Sequence, residues 1–203
     1  MIKNIIFDFG DIFINLDKEA TAKELFDQGV TVFSEEEMDL GQRYEMGLLS
    51  TTGFLNFFEK KFQVPSYKFI KAWNAILLDF PIHRLHFLQE LSKNPNYRLF
   101  LLSNTNDLHI SWIQENWGMA LYNTFKHCFE HFYLSHEMNM RKPNSDIYEY
   151  VLKAHDLIPQ ETLFIDDTKE NTLSASHLGI QVWNLIPGKE EVTQLFSQIH
   201  FSN

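Results

Sequence analysis

The stretch IIFDFGDIFINLD, residues 5–17, decides how the chain folds. Ile5, Ile6 and Phe7 form an apolar run that delivers a carboxylate, Asp8, followed by Phe9, Gly10 and a second carboxylate, Asp11. Apolar character without alternation is the pattern of a strand covered on both faces, as in a parallel sheet. An acid at the end of such a strand is costly unless it has a partner or a task. The pattern returns in YRLFLLS at 97–103, HFYLS at 131–135, TLFIDD at 162–167 and IQVWNL at 180–185, with the first strand taken as 4–9. Helical spacing lies between these runs. Residues 82–93 place Ile82, Leu85, Leu88 and Leu91 on one face, and 144–155 do the same with Ile147, Val151 and Ala154. A third helix, 168–178, meets Gly179 in the position where helices stop. Strands alternating with helices specify an α/β domain with a doubly wound, Rossmann-like parallel sheet.

The alternation has one large gap. Between residues 17 and 81 about 65 residues carry no strand pattern, far more than one crossover needs. They read as helices instead: KEATAKELFDQ, SEEEMDLGQRYEMG, TTGFLNFFEKKF and SYKFIKAWNAILLDF. Ser34 with Glu37 has the spacing of a capping box, and Pro65 separates the last two helices. The expected organisation is a core of residues 1–16 and 81–203 carrying an inserted helical cap, residues 17–80.

Composition narrows the partners. The 203 residues are enough for a substantial core, with 19 Phe to fill it, and the net charge of −10 argues against nucleic acid or an anionic membrane. The lone cysteine, Cys128, excludes an internal disulfide framework and fits a reducing compartment. No run approaches the ~20 apolar residues of a membrane span. No signal peptide is read at the N-terminus, so a cytoplasmic monomer or homodimer is expected.

Ligands of doubly wound sheets bind beyond the carboxyl ends of the strands. Those ends carry Asp8, Ser103 with Asn104, and Asp166 with Asp167, while Lys142 precedes a further helix. Three carboxylates so close would repel one another unless a cation joined them, and an all-oxygen donor set suits Mg²⁺ better than zinc. FDFGD, LLSNTN, RKP and FIDDTKEN, in this order, resemble the four motifs of the haloacid dehalogenase (HAD) superfamily of aspartyl-phosphate phosphatases. SNTNDLHISW, YLSHEMNMRKP and IDDTKENTLSASHLGI resemble, more narrowly, the bacterial α-glucose-1-phosphate phosphatases.

The resemblance implies roles. Asp8 is the nucleophile, Ser103 and the Asn104 N–H hold phosphoryl oxygens, and Lys142 balances the charge that builds there. Mg²⁺ is held by Asp8, the Gly10 carbonyl and Asp167, with Asp166 behind them. A small phosphorylated substrate, such as glucose 1-phosphate, is expected. A 2-haloacid dehalogenase uses the same Asp without metal, and a phosphate-binding relic without turnover is the non-enzyme alternative. The relic gains weight from Gly10, because most phosphatases of the superfamily have an Asp general acid there; Asp11 comes one residue too late to be assumed its substitute. The glucose-1-phosphate phosphatase group shares the glycine. Such a site should favour leaving groups that depart with little protonation, such as an anomeric oxygen. In the cap, Arg43, Tyr44 and Glu45 ahead of Gly47 are the candidates to reach the substrate, and Arg43 is the expected contact.

Overall fold

Successive residues of β1 (Asn4–Phe7) enter two different cores in the computed structural model, which describes residues 1–30 and 33–198. Ile5 and Phe7 join one apolar cluster and Ile6 the other. The same division holds for β2 (Arg98–Ser103) and β4 (Thr162–Asp166): Leu99, Leu101, Leu163 and Ile165 face one side, Phe100, Leu102 and Phe164 the other. With β3 (His131–Leu134) and β5 (Gln181–Asn184) they form a five-stranded, parallel sheet in the order β3-β2-β1-β4-β5. Both faces are covered, which is why these strands read as continuous apolar runs.

Among the described residues, four helices lie between residues 17 and 81: α1 (Ala20–Phe26), α2 (Glu35–Glu45), α3 (Thr51–Phe62) and α4 (Ser66–Asn74). They enclose a third cluster in which Tyr44 stacks on Phe54 with ring centroids 4.1 Å apart, beside Phe58 and Phe69. The segments leading into and out of this unit pair with each other. Leu16 and Leu77 form an antiparallel bridge, Asn15 N–H donates to Asp79 O at 2.9 Å, and Leu78 N–H returns to Asn15 O at 3.0 Å.

The remaining helices are α5 (Ile82–Ser92), α6 (Asp107–Trp117), α7 (Met119–Lys126), α8 (Ser135–Met138), α9 (Ser145–Ala154), α10 (Lys169–His177) and α11 (Leu195–Gln198). Leu85, Leu88 and Leu91 of α5 are buried as their spacing predicts, but Ile82, the first residue of that helix, is exposed. Likewise Ile147 and Val151 of α9 are buried, whereas Ala154, the last residue of that helix, is exposed. Gly179 ends α10 with φ +82, a left-handed conformation that glycine adopts without strain. No helix of the described residues is long and apolar enough to cross a membrane.

The register fixes what meets at the carboxyl end of the sheet. Phe7 pairs with Leu101 on one side and Ile165 on the other, and the Asp8 N–H donates to Ile165 O at 2.8 Å. Asp8 and Asp166 therefore leave adjacent strands at the same level. Ser103 ends β2 two residues beyond Leu101.

Candidate functional site

Strand β1 ends at Phe7, two residues before the expected end at Phe9, so Asp8 is the first residue beyond the strand, held to the sheet by the bond of its N–H to Ile165 O. Its Oδ1 accepts a hydrogen bond from Lys142 Nζ at 2.6 Å, and the same ammonium donates to Asp166 Oδ2 at 2.7 Å. Lys142 is only 1% exposed and Asp166 is fully buried. A lone ammonium here would be far too costly; two carboxylates and a third nearby keep it charged. In turn, burial raises the pKa of Asp8, and Asp166 and Asp167 push it the same way, while Lys142 opposes them.

Asp166 is saturated with donors. Besides Lys142 it accepts from the Thr168 N–H at 2.8 Å and from Asn171 Nδ2 at 3.1 and 3.0 Å. Asp167 faces the other way, toward Lys18, whose Nζ also lies 3.2 Å from Asp11 Oδ2. Ligand oxygens of Asp8, Asp166 and Asp167 all lie within 4.8 Å of one another. Clustered carboxylate oxygens with one member not locked by neutral donors are the donor chemistry of a hard divalent cation. The residues fit Mg²⁺.

Asn104 has a role that residue-type reasoning did not foresee. Its side chain clamps the backbone of Lys142 on both sides, Nδ2 donating to the Lys142 carbonyl at 2.8 Å and Oδ1 accepting the Lys142 N–H at 2.9 Å. That positions the ammonium on a loop with no other regular pairing. Helix α6 is capped by Asn106, whose Oδ1 accepts the His109 N–H at 3.1 Å. Ser103 stays buried at the end of β2.

A cavity of about 380 Å³ is lined by Asp8, Gly10, Asn104, Arg141, Lys142 and Asp167, among others. A smaller one of about 110 Å³ adjoins it, sharing Gly10, Leu16 and Asn104 and adding Ser103, His109 and Glu45. Of the cap candidates, Arg43 is not at the site. It lies exposed on α2, because Tyr44 beside it is drawn into the third apolar cluster and the helix periodicity turns residue 43 to solvent. Of the three candidates it is Glu45 that lines the smaller cavity, and Arg141 Nη2 donates to its Oε2 at 3.1 Å. Arg141 stood in view beside Lys142 in the RKP motif; nothing in the sequence pointed to Lys18.

Asp11 is committed elsewhere. It adopts φ +54, its Oδ1 accepts the Leu16 N–H at 3.0 Å, and it lines neither cavity. At Gly10 an added Cβ would lie 2.7 Å from Leu16 Cδ1, so Leu16 fills the space where a longer residue would begin.

Known proteins share this arrangement of chain and sheet. A D-ribitol-5-phosphate phosphatase from Bacteroides thetaiotaomicron is 27% identical over 192 residues, spanning 90% of this chain and 91% of that one. The crystal structure of a HAD family enzyme from the same organism, in complex with magnesium and inorganic phosphate, is 32% identical, with a TM-score of 0.83 over 97% of this chain and 100% of that one. A HAD-like family hydrolase from Porphyromonas gingivalis, 28% identical, superposes with a TM-score of 0.87 over the full length of both chains. With residues 5–185 matching the haloacid dehalogenase-like hydrolases, from the first strand through the last, the chain belongs to that family.

Proposed function

We propose that the protein is a Mg²⁺-dependent phosphatase that hydrolyses a small phosphomonoester of a sugar or polyol by way of an aspartyl-phosphate. The observation that carries this reading is the buried Asp8–Lys142–Asp166 chain with Asp167 beside it at the carboxyl end of the sheet. Asp8, the Gly10 carbonyl and Asp167 would hold the ion, with Asp166 fixing Lys142 behind them. When bound, Mg²⁺ supplies positive charge to the carboxylates and to the phosphoryl oxygens. Asp8 attacks phosphorus through a carboxylate oxygen, and the bond to the leaving oxygen breaks with its electron pair. Lys142 stabilises the charge on Asp8 and on the phosphoryl oxygens, and Ser103 with the Asn104 N–H binds those oxygens. Attack of water on phosphorus then returns the Asp8 carboxylate.

Residues 17–80 act as the cap in this reading, covering the open end of the sheet and selecting the substrate. The paired segments at Asn15–Asp17 and Ile76–Asp79 are its hinge. The name of the ribitol phosphatase supports a polyhydroxylated leaving group; glucose 1-phosphate belongs to the same class. The test is release of inorganic phosphate from p-nitrophenyl phosphate, glucose 1-phosphate and ribitol 5-phosphate, with and without Mg²⁺. Metal-dependent release from at least one sugar or polyol phosphate is expected. No release from any of them rejects the proposal, and halide release from a 2-haloalkanoate instead would mark a dehalogenase.

A further inference from the structure

We propose that Glu45, carried by the last residue of cap helix α2, is the catalytic acid that protonates the leaving oxygen, replacing the carboxyl that Gly10 lacks. The inference rests on the phosphatase reading above and names the proton donor that reading leaves open.

The placement of Glu45 comes first. The end of α2 is fastened to the core by two bonds, Ser135 Oγ donating to the Glu45 carbonyl at 2.6 Å and Asn139 Nδ2 to the Met46 carbonyl at 2.8 Å. Gly47 follows with φ +66, so close to α8 that a Cβ would lie 2.0 Å from the His136 carbonyl oxygen. The side chain of Glu45 is therefore delivered by a fixed helix end, not by a wandering loop. It lines the small cavity beside Gly10, Ser103 and Asn104, and a third cavity of about 320 Å³ beneath α2, which Arg141 also lines. Arg141 reaches the cavity containing Asp8 as well. The Glu45–Arg141 pair thus stands where the phosphoryl space opens into the space under the cap, which is where the bond to a leaving alcohol must lie.

The chemistry of the neighbours on the side of the cavity under α2 favours Glu45 for this task. Glu170, a further carboxyl lining the Asp8 cavity, lies beside Asp167 and Asn171 and does not line the small cavity next to Ser103. Asp11 is held by Leu16 and Lys18 outside the cavities. Lys142 is held beside Asp8 and Asp166 and keeps its proton there, so its remaining donor serves the phosphoryl oxygens and not the leaving oxygen. His109 has both ring nitrogens occupied, Nε2 by the Trp73 carbonyl at 3.2 Å and Nδ1 by Asn106 at 3.2 Å, and burial pushes it down to about 4. Glu45 uses Oε2 to accept from Arg141, and Oε1 makes no hydrogen bond. Burial lifts its pKa above the ordinary carboxyl value despite the opposing charges of Arg141 and Lys142, so a proton is held at lower cost than on an exposed Glu.

The proton accounting closes. As the phosphorus–oxygen bond breaks, the leaving oxygen keeps the electron pair and takes the proton of the Glu45 carboxyl. The Glu45 carboxylate then takes a proton from the water that attacks the aspartyl-phosphate, restoring the acid while Asp8 leaves phosphorus with its electron pair. A site so equipped is not confined to weakly basic leaving groups, which is what Gly10 alone would predict. Primary alcohol phosphates come within reach.

The test is a leaving-group series, measuring kcat/KM with Mg²⁺ for p-nitrophenyl phosphate, phenyl phosphate, glucose 1-phosphate and ribitol 5-phosphate in the parent and in Glu45→Gln. The loss in Glu45→Gln should grow with the basicity of the departing oxygen and reach about 100-fold or more for an alkyl phosphate. In Glu45→Ala, added formate should recover part of the alkyl phosphate turnover, a result that a misfolded variant cannot give. Losses of equal size across the series without recovery by formate, or no loss at all, overturn the assignment. Failure of the phosphatase reading itself would look different: the parent would release no phosphate from any member of the series.

Discussion

Asp166 and Asp167 are adjacent in sequence and divided in duty. Every oxygen lone pair that Asp166 can offer is met by Lys142, the Thr168 N–H or Asn171, so its charge serves the ammonium. Asp167 is met only by the side chain of Lys18, which is more than half exposed and can move aside. We expect Asp167→Asn to raise the Mg²⁺ concentration for half-maximal activity by more than Asp166→Asn does, where supporting contacts are typically worth ~10–100-fold. Asp166→Asn should instead cost stability, about 3 kcal/mol, because Lys142 keeps only one of its two carboxylate bonds while still buried. Metal titrations and urea unfolding of both variants decide this, and the reverse ranking in either measurement would exchange their duties. Asp8→Asn should fold and lose turnover, since an amide cannot form the acyl phosphate; measurable hydrolysis by a folded variant would remove Asp8 as nucleophile.

At the scale of elements, helix α2 begins with a device legible in the sequence. Ser34 and Glu37 form the capping box their spacing predicts, and the Ser34 N–H and hydroxyl both donate to Glu37 Oε2. The part that no spacing rule shows is Lys61 of α3, which pairs with the same carboxylate and ties two cap helices together. Lys61 and Ser34 bring the Glu37 pKa down from 4.5 to about 2. A depressed carboxyl pKa contributes stability above its unfolded value and loses it as pH falls through the folded one. Glu37→Gln should therefore lower stability near neutral pH by about 1 kcal/mol, the usual worth of such a cap. The gap to the parent should narrow as pH falls from about 4.5, where the unfolded chain takes up the proton, to about 2, where the folded one does. Denaturant unfolding at stepped pH measures the gap, and a difference constant from pH 7 downward would mean that no charge is involved. The three central strands were legible because burial on both faces leaves an apolar run of strand length between helical segments, and the edge strands β3 and β5 kept enough of that run to be read as well. Their ends were overrun by one or two residues at Asp8, Phe9 and Asp167, where the polar end of the strand leaves the ladder without changing the residue pattern.

For the molecule as a whole, the acids at the strand ends could be read from sequence because a sheet brings the same end of every strand together. Arg43, expected to reach the substrate, lies exposed instead, because the facing of a residue on α2 depends on how the helices of residues 17–80 pack on one another, and that rotation is set by Tyr44 packing on Phe54. The same logic makes Gly47 the residue on which cap placement turns. Its positive φ disfavours any side chain by roughly 1–2 kcal/mol. The approach to the His136 carbonyl is a second, steric barrier, since a Cβ there would overlap backbone that α8 cannot yield cheaply. Gly47→Ala should thus part the end of α2 from α8, breaking the bonds from Ser135 and Asn139 and carrying Glu45 and its Arg141 contact out of place. A displacement of about 1 Å at a reacting group costs on the order of 100-fold. We expect kcat/KM for ribitol 5-phosphate to fall by that order in Gly47→Ala, with faster hydrogen exchange at residues 45–47 and 135–139. Mg²⁺ affinity should hold, because Asp8, Gly10 and Asp167 lie on the core strands and loops. If the variant keeps both its turnover and its exchange protection, the cap is not located by this contact. If Mg²⁺ affinity falls together with turnover, the cap and the ion site are mechanically one unit.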